Sequence, residues 1–201
     1  MKGLIGKKYK DMDLKELIKY SQKDDFNALE ELIKREQKHV YASFYYLDPH
    51  RHDLLDLTQD VLLKMSKNIK TLRNINNFKS WLSQIISNRF YDELRKKSKI
   101  PSTISIDAHW GEDNEKANVL EICDLSAKPD DSTIHKELDE IIREMICRLP
   151  NRFKFAIVLR EIQGLSYDEI AKITNTNVGT VKSRISRARN RLQECLKPYL
   201  S

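Results

Sequence analysis

"GLSYDEIAKITNTNVGTVKSRISRARNRL", residues 164–192, is the stretch on which the reading of this chain turns. Ser166 and Glu169 have the S-x-x-E spacing of a capping box, which predicts a helix starting at Ser166. Ile170, Ala171 and Ile173 form its apolar side. The polar run at 174–177 does not favour continuing that helix. Asn177 is a good N-cap for a second helix, with Val178 as its first residue. A short helix, a tight polar turn and a second helix make a helix-turn-helix unit.

On a helical wheel the second helix sorts its residues by chemistry. Val181, Ile185, Ala188 and Leu192 group on the buried side. Ser183, Ser186 and Asn190 point away, with Arg187 and Thr180 beside them. Arg184 and Arg191 flank one edge, Lys182 and Arg189 the other. Residues 176–201 hold six basic side chains and one acidic, Glu194. That layout suits a helix in a major groove, its centre line on base edges and its flanks on phosphates. The expected DNA contacts are Thr180, Lys182, Ser183, Arg184, Ser186, Arg187, Asn190 and Arg191.

Outward from this unit, the remaining residues read as helix. The chain has 201 residues, enough for one large domain or two small ones. Only five glycines and five prolines argue against an all-β fold with many tight turns. The net charge of +6 suits a polyanionic partner. Cys123, Cys147 and Cys195 are scattered, without a CxxC pair, and read as reduced thiols serving as small buried hydrophobes in a cytoplasmic protein. The N-terminus lacks the apolar stretch of a signal peptide, and no apolar run approaches a membrane span, so no membrane insertion is expected.

Residues 1–12 read as a short basic tail, and the helical period sets in at Asp13. Phe26, Leu29, Leu32, Ile33, Val40, Phe44 and Leu47 make one apolar stripe, which Pro49 ends. A second helix carries Leu54, Leu57, Val61, Leu62 and Met65 on one face, leaving Asp56, Gln59, Asp60 and Lys64 outward. After the loop "LRNINN" at 72–77, a third carries Phe78, Trp81, Leu82, Ile85, Ile86 and Phe90 and ends in a basic cluster. Trp81 lies on the stripe and is read as core rather than as a base-stacking residue. Residues 100–133 lose the period. They carry eight acidic residues (Asp107, Glu112, Asp113, Glu115, Glu121, Asp124, Asp130, Asp131) against Lys116 and Lys128, the pattern of an acidic linker. A second helical domain is expected over 134–201. It opens with Leu138, Ile141, Ile142, Met145, Ile146 and Leu149 on one face, followed by a helix over 151–164 with Gly164 as its C′ residue. The expected fold is all-α: two helical domains, 13–99 and 134–201, joined by an acidic linker.

Here a family resemblance appears. "LP" at 149–150, "LREIQGLSYDEIA" at 159–171 and "VGTVKSRISRAR" at 178–189 resemble the fourth conserved region of extracytoplasmic-function sigma factors, the small specificity subunits of bacterial RNA polymerase. "DLTQDVLLKM" at 56–65 is similar to the family's second region, and "FKSWLSQIISNRFYDELRKKSK" at 78–99 resembles its promoter-melting segment. The resemblance implies that 13–99 binds core polymerase and reads the minus-ten element, while 134–201 reads the minus-thirty-five element. It implies that Asp56, Gln59, Asp60 and Lys64 face the β′ clamp, and that the flap of β is a further docking point. It implies that loop 72–77 captures a flipped base. Asn74, Asn76 and Asn77 offer amides for that, though turn geometry alone also favours Asn there. Arg89, Arg95, Lys96, Lys97 and Lys99 would hold phosphates. Promoter DNA and an anti-sigma factor are the further implied partners, with initiation in response to stress as the implied task. Relative to the family, the His/Arg cluster at 50–52 and Ser186 are local departures.

Two other readings compete. A stand-alone helix-turn-helix regulator would bind duplex DNA by itself, often as a dimer at paired half-sites. An enzyme on nucleic acid would need catalytic spacings that the sequence does not contain. His50 and His52 lack a third metal ligand, so no metal and no cofactor are expected.

Overall fold

The computed structural model describes residues 9–98 and 131–197, with side chains described up to Lys96 and again from Asp139. The described residues form helices joined by short turns, without a strand. The helices fall into two compact units. α1 (Leu14–Ser21), α2 (Phe26–Leu47, all but its last two residues), α3 (Leu54–Asn68) and α4 (Phe78–Ser98) make the first. α5 (Asp131–Arg148), α6 (Asn151–Ile157), α7 (Tyr167–Thr174) and α8 (Val178–Leu196) make the second. The all-α expectation therefore holds. The acidic segment, Cys123 and Lys99 lie outside the described residues, apart from its last residues, which open α5 at Asp131.

In the first unit the predicted stripes meet as a core. Leu32, Val40 and Phe44 of α2, Leu57, Val61 and Met65 of α3, and Phe78, Leu82, Ile86 and Phe90 of α4 are all buried. Each such side chain contributes roughly 1.5–3 kcal/mol on removal from water. Small hydroxyls sit among them without cost. Ser43, Thr58 and Ser87 donate to the carbonyls of His39, Leu54 and Ser83 one turn back, so the helices approach closely with no orphan donor.

Three expectations change here. Phe26 belongs to the periodic stripe but is 74% exposed, because as the first residue of α2 it overhangs the core. Trp81 is half-buried, its ring tilted against Phe78 at 6.0 Å, rather than fully core. Residues 9–12, read as tail, are docked. The Arg35 guanidinium donates to the carbonyls of Tyr9, Lys10 and Met12 at 2.7–2.8 Å, and the Tyr9 hydroxyl donates to Asp25. Carbonyls have no side-chain signature, so no sequence pattern announces such an anchor.

In the second unit α6 and α7 pack on α8. Phe153, Phe155, Ala156, Ile157, Val158 and Leu159 are all buried, so this segment is enclosed on every side. The single helix expected over 151–164 is α-helical only to Ile157. A π turn, Val158–Ile162, follows, and the Gln163 amide reaches back to the Val158 carbonyl at 3.1 Å. Gly164 ends it at φ +69, the left-handed geometry expected of a C′ glycine. On α5, Ile146 and Leu149 are buried, while Ile141, Ile142 and Met145 remain half-exposed. Cys147 and Cys195 are free and half-buried rather than core, and burial pushes both thiols up from their ordinary range.

Candidate functional site

The helix-turn-helix forms as its local chemistry requires. The Ser166 hydroxyl accepts from the Glu169 amide at 3.3 Å, and the Glu169 carboxylate accepts from the Ser166 amide at 2.8 Å, completing the capping box. α7 ends on Asn175 in the left-handed region, at φ 53, and the Thr176 amide returns to the Ala171 carbonyl at 3.0 Å. Asn177 then caps α8, its side chain accepting from the Thr180 amide at 2.7 Å.

α8 presents the predicted faces. Val181, Ile185 and Ala188 are buried, and Leu192 is half-buried. Lys182, Ser183, Ser186, Arg187 and Asn190 are exposed, with Thr180 and Arg184 half-exposed beside them. Ser183 spends its proton on the Thr180 carbonyl at 2.9 Å, which leaves its lone pairs outward. The flanking arginines differ. Arg191 is half-buried, its guanidinium 5.1 Å from the centre of the Phe153 ring. Arg189 donates to Glu161 of the π turn at 2.7 Å, and this bond raises its affinity for its proton. Arg160, next to Glu161, braces the same corner by donating to the Leu165 carbonyl at 2.6 Å and lying over Tyr167.

In the first unit the predicted residues occupy two places. On α3, Asp56, Gln59, Asp60 and Lys64 are all exposed. Sequence reasoning missed their apolar neighbours. Leu55 and Leu63 are 64% and 53% exposed, each one turn from Gln59, on either side of it along the same outward face. The signal was available: both leucines fall outside the stripe formed by Leu54, Leu57, Val61, Leu62 and Met65. In the loop, Asn74, Asn76 and Asn77 are exposed. The Asn74 side chain accepts from the Asn76 amide at 3.0 Å, so one of the three is committed to the turn.

The basic residues of α4 are not a row of unpaired cations. Arg89 donates to Asp60 at 3.1 Å and to Glu93. Lys96 pairs with Glu93 at 2.9 Å, and Arg95 with Asp92 at 3.4 Å. Lys97 lies on α4, with its side chain outside the described residues. Glu93 is the hub. Arg51, in the turn before α3, reaches it at 2.9 Å while holding Asp53 through two further bonds at 2.5 and 2.7 Å. Burial pushes the Glu93 carboxyl up, but bonds from Arg89, Arg51 and Lys96 outweigh it and hold the group down at about 2. Arg89 thus ties α4 to Asp60 on α3, joining two sites that were predicted separately.

Residues 32–100 match the family Sigma-70 region 2, and residues 139–192 match Sigma-70, region 4. The chain is 32% identical over 184 residues to the ECF RNA polymerase sigma-E factor of Haemophilus influenzae, covering 92% of this chain and 95% of that one. It is 33% identical to the factor of the same name from Escherichia coli, covering 92% and 94%. Among solved structures it is similar to the sigma factor RpoE of Bartonella quintana, crystallised with the anti-sigma factor NepR. That match has a TM-score of 0.61 and 28% identity, over 84% of this chain and 96% of that one. CnrH, in complex with the cytosolic domain of CnrY, shares the fold at a TM-score of 0.60.

Proposed function

The chain belongs to the ECF sigma factors of the sigma-70 family, and from that membership we propose a division of labour between its two domains. As a sigma factor it binds core RNA polymerase and directs initiation at specific promoters. The first domain docks on core through α3 and reads the minus-ten element through loop 72–77. The second reads the minus-thirty-five element through α8. The protein supplies specificity and no chemistry of its own. It works in the cytoplasm with the polymerase, and stress is the signal we assign to it.

The observation that carries this reading is the outward face of α3. Leu55 and Leu63 bracket Gln59, with Asp56, Asp60 and Lys64 alongside. A mixed surface of this kind, apolar at its centre and charged at its edge, suits a basic helical partner such as the β′ clamp. The flap of β is assigned to the second domain by family membership. In the groove-facing helix, Ser183, Ser186, Arg187 and Asn190 are the base readers; Lys182, Arg184 and Arg191, with Thr180 at the N-terminus, are the phosphate contacts. In the first domain Asn76 and Asn77 are the base-reading amides, while Arg95, Lys96 and Lys97 line the phosphate track. Arg89 is better suited to orienting Asp60 than to meeting DNA, since two carboxylates already hold it.

A stand-alone regulator accounts for α8 but not for an aligned first domain, so it is not carried further. The similar RpoE structure carries an anti-sigma factor, NepR, and we extend that class of partner to this chain. The test is run-off transcription with purified core polymerase on a pool of DNA randomised over the promoter region. Productive starts from a sequence-restricted subset are expected. Failure of the chain to bind core at moderate salt would overturn the proposal.

A further inference from the structure

Loop 72–77 is not held in place by its own bonds. Those are local: Asn74 accepts from Asn76 through its side chain and from Asn77 through its carbonyl, both at 3.0 Å. Its entrance is fixed from elsewhere. The carbonyls of Ile69 and Leu72 both accept from one atom, Gln22 Nε2, at 3.0 and 2.8 Å, across 47 and 50 residues of chain. The Ile69 and Leu72 side chains are 2% and 6% exposed, so the segment is pinned by packing on one side and by this amide on the other.

Gln22 is itself immobilised. It caps the end of α1, and its backbone amide bonds to Ile18 at 2.9 Å. Asp24, just beyond it, pairs with Lys70 at 2.6 Å, a second and more exposed link between the same two segments. A carboxamide fits the task chemically. It offers two N–H donors on one nitrogen, one for each carbonyl, and carries no charge into a partly buried place. Carboxylate would offer no donor, and a shorter amide would not span both acceptors.

We propose that Gln22 is a positioning residue for promoter reading: its carboxamide sets the entry of loop 72–77 and so determines which bases the loop accepts. This rests on the reading of that loop as the minus-ten contact. The loop's asparagines are short, and a productive hydrogen bond tolerates displacement of only about 0.5 Å. Release of both Ile69 and Leu72 carbonyls would move the loop's base-reading amides relative to the rest of the domain.

The experiment uses holoenzyme made from the full chain and core polymerase, with a DNA pool randomised over the promoter region as probe. Sequenced transcripts give the base preference at each position. Gln22→Glu removes the donors at constant shape, and Gln22→Met removes them without adding charge. Asn76→Ala and Asn77→Ala serve as loop variants. For both Gln22 variants, discrimination at minus-ten positions should fall by about tenfold, the size expected for two hydrogen bonds. Minus-thirty-five preference and core affinity should stay at wild type. Amide exchange at Asn76 and Asn77 in the free protein should accelerate. If Gln22→Glu does not fold, Gln22→Met decides. If the loop variants change minus-ten preference and the Gln22 variants do not, the proposal fails and the loop reading stands. If neither set changes it, both fail. Equal losses at both promoter elements would mark Gln22 as merely structural and overturn the proposal.

Discussion

The nucleic-acid surfaces proposed for the two domains are built on opposite plans. In the second, one helix carries the proposed reading residues. Its start is fixed by the Asn177 cap, its rotation by Val181, Ile185 and Ala188. Every exposed position then follows from helical geometry alone. In the first, the surface is assembled from a loop, a helix face and a partly buried charge network that joins two segments far apart in sequence. Arg51, Asp60, Arg89 and Glu93 meet only because α3 and α4 pack together. A surface built on one element tolerates substitution position by position. One built on a network fails collectively.

The largest expected effect therefore belongs to Glu93. Glu93→Ala leaves Arg51, 9% exposed, and Arg89 without their shared partner. Breaking a buried pair in this way costs roughly 3–5 kcal/mol, enough to unfold a marginal domain. Calorimetry should show the first domain melting lower while the second is unmoved. A single unchanged transition would contradict the network argument. The pH dependence has a definite sign. The folded carboxyl is held at about 2, below its ordinary value, so its stabilisation is complete above the ordinary glutamate range. It is lost as pH falls from there toward 2. The Glu93→Ala protein should lack that part of the acid sensitivity.

The next effect concerns core affinity, and it separates two carboxylates that the sequence treats alike. Asp56 and Asp60 both lie outward on α3, but Asp60 is held by Arg89 at 3.0 Å. Asp56→Lys should cost about 1–3 kcal/mol of core affinity and leave the melting temperature alone. Asp60→Lys should cost as much affinity and also about 1 kcal/mol of stability, because it sets a like charge against Arg89. Equal melting temperatures for the two variants would mean that Arg89 does not orient Asp60. Leu63→Ser should weaken core binding with no loss of stability.

These two carboxylates also show where sequence reading stops. Capping box, turn, N-cap and helix faces were all legible in the second domain, because each rests on spacing along one chain segment. The helices of the first domain were legible for the same reason. What was not legible is whatever depends on tertiary approach: the docking of residues 9–12 by Arg35, the grip of Gln22 on two carbonyls, the pairing of Arg89 with Asp60 and Glu93. Arg89 had the composition of a phosphate contact and the environment of an interhelical tie. Composition is visible in the sequence, and environment is not.

In the second domain the effects are smaller and separable. Arg187→Ala should relax preference at one upstream base pair by roughly 1–3 kcal/mol, measured as the change in holoenzyme preference across promoter variants. Arg191→Ala should weaken all promoters alike and lower the salt slope by about one unit. The reverse pattern would mean that α8 enters the groove rotated from the orientation assigned above.

The smallest effect tests a place where the second domain departs from its own plan. Arg189 sits on the flank proposed to face phosphate, yet it donates to Glu161 from the π turn. Both side chains are about half exposed, at 52% and 48%, so the pair contributes at most about 1 kcal/mol. A DNA phosphate must therefore compete with Glu161 for this guanidinium, and the carboxylate also repels the approaching backbone. Glu161→Gln removes the charge and keeps the shape. It should tighten binding to every promoter by a few-fold, without changing base preference, and steepen the salt slope by up to about one phosphate contact. Arg189→Ala in the same background should cancel the gain. If Glu161→Gln instead weakened binding, Glu161 would be holding Arg189 in its DNA-ready position. The second domain would then also use a tertiary tie, and its contrast with the first would narrow to one of degree.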